Sequence, residues 1–126
     1  MPPHILIVDD DPAIRETIAE VLEDEGYAVE VATNGAEGLA AIDRALPALV
    51  LLDMRMPVLD GWSFARTLRE RALNLPLVVM TAAQESLQWS QEIAAAAVLA
   101  KPFNLDDLLE VVERTFPRTN GATLQQ

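Results

Sequence analysis

Four short stretches carry side chains that can do chemistry together. Asp9, Asp10 and Asp11 are consecutive. Adjacent carboxylates repel one another and raise each other's pKa, a cost that a hard divalent cation removes. Mg²⁺ takes oxygen ligands, keeps several waters and accepts one or two carboxylates from a protein. Asp10 and Asp53 are therefore read as direct ligands, Asp9 as the holder of a metal-bound water, and Asp11 as a helix N-cap. The plainer alternative is an acidic helix start. Asp53 closes the most apolar run of the chain, Leu49, Val50, Leu51 and Leu52, which would hold its backbone rigidly. An aspartate carboxylate can accept a phosphoryl group, provided that the charge of one anion meeting another is neutralised. The alternative for Asp53 is a metal ligand without covalent chemistry. Lys101 is the single lysine beside eight arginines. Its compact ammonium would pair with Asp53 and, after modification, with a phosphoryl oxygen. Thr81 offers a hydroxyl and Ala82 a backbone N–H to the same oxygens; a turn or capping threonine is the alternative.

These residues need elements to bring them together, and the hydropathy pattern supplies them. Residues 5–8, 27–32, 48–52, 77–80 and 97–99 read as five apolar strands, suited to burial on both faces. Between them, helices are expected after Asp11-Pro12 up to Gly26, over 36–45, 62–72 and 84–94, with a last one after Asn104. Asn34 and Glu37 resemble a capping box. Asp106 and Asp107 occupy the first turn of the last helix, where its dipole favours them. Strand and helix alternate five times, which predicts a three-layer α/β fold on a parallel sheet. In such sheets the ligand site lies beyond the carboxyl ends of the strands. Four of the five strands end there in a polar or charged group: Asp9 to Asp11, Asp53, Thr81 and Lys101.

Composition narrows the field further. The 126 residues suffice for one hydrophobic core, expected over 1–117, with 118–126 a flexible tail or the start of a linker. There is no cysteine, which excludes disulfides and thiolate chemistry, and one histidine, His4, which excludes a multi-histidine metal centre. A formal charge of −11 argues against nucleic-acid backbones and anionic membranes as partners. No signal sequence or spanning segment is evident, so a cytoplasmic location is expected.

The stretches ILIVDDDPAIRE (5–16), LLDMRMPVLDG (51–61), VVMTA (78–82) and LAKPF (99–103) together resemble the bacterial response-regulator receiver domain. The likeness covers roughly residues 4–116. It implies a doubly wound, flavodoxin-like (CheY-like) fold with five helices and strand order 2-1-3-4-5. By position, Asp53 resembles the phosphoacceptor and Asp9 and Asp10 the acidic metal pair. The Arg55 carbonyl, brought in by the Met56-Pro57 loop, would complete the protein's share of the Mg²⁺ shell, with Mn²⁺ as a substitute ion. Thr81 resembles the switch hydroxyl, Ala82 N–H a phosphate contact, and Lys101 the phosphate-binding lysine. The family takes its phosphoryl group from a phosphohistidine on a sensor histidine kinase or a histidine phosphotransfer domain. It catalyses only its own phosphorylation and dephosphorylation, within a two-component phosphorelay.

Departures from the family pattern qualify the output. Val98 stands at the switch position that is often tyrosine or phenylalanine, so the usual aromatic relay is not expected. The acidic pair before it is absent, and Val111 replaces the arginine of a DNA-binding subfamily. A salt-bridged dimer is not expected; a monomer or weak dimer is. The output would be a downstream protein target or a fused output domain. Arg55 and Ala83 flank the centre, where they would tune water access. Two rival readings remain at this point. One is a metal-dependent aspartyl phosphatase, against which Arg55 counts, since it occupies the place of a second aspartate. The other is a receiver-like docking domain that is never phosphorylated.

Overall fold

A computed structural model of the chain describes residues 3–54, 56, 59–82 and 95–117. Its elements are β1 (His4–Val8), α1 (Pro12–Asp24), β2 (Ala28–Ala32), α2 (Gly35–Arg44), β3 (Leu49–Asp53), α3 (Gly61–Glu70), β4 (Leu77–Ala82), β5 (Ala97–Lys101) and α4 (Leu105–Thr115). All strand pairings are parallel, in the order β2-β1-β3-β4-β5. The expectation of five helices is corrected: four are found among the described residues. The helix expected over 84–94 falls outside them, as do the tail from 118 and Arg55. That expectation rested on only two apolar anchors, Trp89 and Ile93, with no cap pattern.

Both faces of the sheet are covered, which is why its central strands are apolar without alternation. Leu6, Val8, Val50, Leu52 and Val79 pack toward Ala41 and Ile42 of α2 and Phe64 and Leu68 of α3. Ile5, Ile7, Leu49, Leu51, Val78 and Met80 pack toward Ile18 and Leu22 of α1 and Leu108 and Val112 of α4. No helix among the described residues is long and apolar enough to cross a membrane.

The helix starts are fixed by side-chain caps on otherwise unpaired N–H groups. Asp11 accepts from the N–H groups of Ala13 and Ile14, Asp60 from Ser63 and Asn104 from Asp107. Asn34 accepts from Glu37 N–H at 2.8 Å. Glu37 Oε1 reaches back to Thr33 N–H, also at 2.8 Å, one residue before the position a standard capping box would use. That bond holds the Glu37 carboxyl below its usual range, and the charge of Arg15 adds to the effect. Two contacts lock helices to strands. An added Cβ on Gly38 would lie 2.8 Å from Phe64 Cε2 and 3.1 Å from Val8 Cγ2. One on Gly61 would lie 2.8 Å from the Asp53 carbonyl oxygen and the Met54 Cα. The start of α3 therefore rests directly on the end of β3.

Candidate functional site

The pleat decides which side chains share a side. Residues 5 and 7, 49 and 51, and 97 and 99 all pack on the α1/α4 side of the sheet. With a period of two, the next positions of the same parity are Asp9, Asp53 and Lys101. Strands β4 and β5 each run two residues further than their apolar runs suggest, because Thr81 pairs with Ala100 and Ala82 with Lys101. Lys101 is thus held in the ladder, and its peptide bond to Pro102 is cis.

Lys101 Nζ lies 3.4 Å from Asp53 Oδ1 and 3.9 Å from Asp9 Oδ2. Carboxylate oxygens of Asp9, Asp10 and Asp53 all fall within 4.8 Å of one another. Asp9 is fully buried and Asp53 nearly so, whereas Asp10 is exposed. Burial pushes Asp9 up to about 6, and the neighbouring charges of Asp53 and Asp10 add to the rise. Its Asp11 N–H bond and Lys101 oppose the shift. Asp9 Oδ2 and Thr81 Oγ1 are buried with no hydrogen-bond partner. A buried polar oxygen left without a partner is costly, and a bound ion or water would remove that cost.

A hard cation fits this set. The donors are all oxygens, three carboxylates are close enough to share one ion, and Asp9 Oδ2 is unsatisfied. Asp10 and Asp53 open onto a cavity of about 880 Å³, while Asp9 lies buried behind it. Asp10, Asp53, Thr81, Ala82 and Lys101 line its polar part; Ala13, Ile14, Phe103 and Leu105 line its apolar part. The four stretches singled out in the sequence thus lie together at the carboxyl ends of β1, β3, β4 and β5. Val98 lies elsewhere: it is half-buried on β5 and packs on the α2/α3 side. One contributor is absent from the sequence reading. Arg15 Nη1 donates to the Asp9 carbonyl at 2.9 Å, and an arginine in the first turns of a helix gives no sign of such a reach.

Comparison with known proteins agrees with this geometry. The family model described as "Response regulator receiver domain" matches residues 5–113. The response regulator MprA of Mycobacterium sp. (strain KMS) is 40% identical over 122 residues, covering 95% of this chain and 53% of the relative. The chain thus spans about half the length of the mycobacterial relatives it matches. Sporulation initiation phosphotransferase F of Bacillus subtilis is 37% identical over 115 residues, covering 90% of this chain and 93% of the relative. The crystal structure of TrrA from Thermotoga maritima, in complex with Mg²⁺ and BeF, superposes with a TM-score of 0.80 at 33% identity, covering 90% and 98% of the two chains.

Proposed function

Because this chain belongs to the response-regulator receiver domain family, we propose that Asp53 is its phosphoacceptor and Asp9, Asp10 and Asp53 its Mg²⁺ ligands. The domain acts on its own aspartate rather than on a separate substrate. The observation that carries the residue assignment is the meeting of one ammonium with three carboxylates, of which Asp10 and Asp53 line a cavity that Lys101 shares. The complex of the Thermotoga relative with Mg²⁺ and BeF supports the same reading.

Receiver domains of this family typically partner histidine kinases or phosphotransfer domains. In the proposed transfer a carboxylate oxygen of Asp53 attacks the phosphorus of the donor's phosphohistidine. The O–P bond forms, the P–N bond breaks, and the imidazole nitrogen leaves with the bonding pair and takes a proton from water. Lys101 follows the charge, moving from the Asp53 carboxylate to a phosphoryl oxygen. Thr81 Oγ1, unpartnered beforehand, donates to another, and the Ala82 N–H to a third. When bound, Mg²⁺ neutralises charge on the carboxylates and the incoming phosphoryl oxygens. Hydrolysis then restores Asp53 and releases phosphate. The Arg55 carbonyl is proposed as a further Mg²⁺ ligand. For the whole protein, the output is proposed to be a phosphorylation-dependent contact with a protein target or a fused output domain.

The test is intact-mass analysis after incubation with acetyl phosphate and Mg²⁺. One added phosphoryl mass is expected, absent in Asp53→Asn and absent when Mg²⁺ is chelated. An unmodified parent protein under conditions that modify comparable domains would overturn the assignment. Steady turnover of a phosphate ester would turn it toward a phosphatase.

A further inference from the structure

Asp9 is fixed at nearly every polar atom. Its N–H donates to the Ala32 carbonyl at 3.2 Å, and its Oδ1 accepts from Asp11 N–H at 2.9 Å. Its carbonyl lies one residue past the end of β1, where the strand ladder no longer supplies a donor. A buried carbonyl in that position needs one. Arg15, six residues on and already within α1, provides it through Nη1 at 2.9 Å. The carbonyl so held belongs to the peptide plane that joins Asp9 to Asp10, so its orientation sets the direction in which both side chains leave the backbone. Arg15 is itself steadied, since its main-chain N–H donates to the Asp11 carbonyl at 2.9 Å.

We propose that Arg15 is a positioning residue for the cation site, holding the Asp9–Asp10 peptide so that both carboxylates face Asp53. The inference rests on the reading that these three carboxylates bind Mg²⁺. It makes a prediction opposite in sign to that of charge alone. Arg15 brings a positive charge close to a cation site, so on Coulomb grounds its removal strengthens Mg²⁺ binding. On positioning grounds its removal weakens binding, because residues that orient metal ligands typically change affinity by about tenfold or more.

Mg²⁺ titration by isothermal calorimetry on the full chain separates the two. Arg15→Ala is expected to raise the Kd for Mg²⁺ roughly tenfold. Arg15→Lys, which keeps a donor on a stem of similar reach, is expected to recover most of that loss. If the alanine variant does not fold, Arg15→Met keeps the aliphatic stem and serves the same comparison. Binding by the donor-less variant that equals or exceeds the parent's would overturn the proposal. So would a lysine variant as weak as the alanine one. A parent protein that binds no Mg²⁺ would instead overturn the reading of the site itself.

Discussion

Asp9 has a titration that stability measurements can follow. Its folded pKa, raised by burial to about 6, exceeds the ordinary 3.8. Between those values the folded protein holds a proton that the unfolded chain releases. The stability contributed by protonated Asp9 is therefore complete below about pH 3.8 and is lost as pH rises through about 6. The difference amounts to at most about 3 kcal/mol. Urea unfolding in chelator should show the parent losing stability relative to Asp9→Asn between pH 4 and pH 7. The same proton competes with a cation, so Mg²⁺ affinity is expected to fall as pH drops below about 6, as calorimetry at a series of pH values would show. Lys101 gives a second expectation. Lys101→Ala should still gain the phosphoryl mass, because the carboxylate and its cation remain. It should lose the structural response, measured as the change in amide exchange over β5.

At the scale of elements, close packing leaves little room for substitution. Gly38→Ala places a methyl group against the fully buried Phe64 and Val8. Overpacking of this kind costs about 1–3 kcal/mol, and thermal unfolding should show a lowered Tm. Gly61→Ala should be felt at Asp53, since the new Cβ meets its carbonyl oxygen; a slower gain of phosphoryl mass at saturating Mg²⁺ would register it. Most of these elements are legible in the chain. Strands buried on both faces leave unbroken apolar runs, and Asp11, Asn34 and Asn104 announce three of the helix starts through their side-chain chemistry; the cap at Asp60, one residue ahead of the expected start region, is found only in the structure. Strand ends are less legible, because β4 and β5 continue into Thr81-Ala82 and Ala100-Lys101, where pairing rather than hydropathy decides. The helix expected over 84–94 lies outside the described residues, and Trp89 and Ile93 alone set no firm period. The candidate site was legible as a set of strand ends, but the Arg15 contact was not. A side chain bonding to main chain six residues away leaves no mark on composition or spacing.

At the scale of the whole molecule, the described helices carry their charge unevenly. Helices α1 and α4, on one side of the sheet, carry eight carboxylates against two arginines, while α2 and α3 carry three against three. Like charges crowded on one side oppose the compact state. Raising NaCl from low ionic strength to about 0.15 M, where the Debye length is about 8 Å, should raise Tm. Mg²⁺ at matched ionic strength should raise it further, because an ion bound only by the folded protein adds its own binding energy; equal effects of the two salts would count against a specific site.

Lys101 sits on the outermost plank of the sheet. Among the described residues its strand is braced by a neighbour on one flank only, whereas Asp53 stands amidships with a neighbour on either hand. A tug between the two is borne unequally, and the plank at the margin yields first. A displacement begun at the keel is thus expected to register at the gunwale.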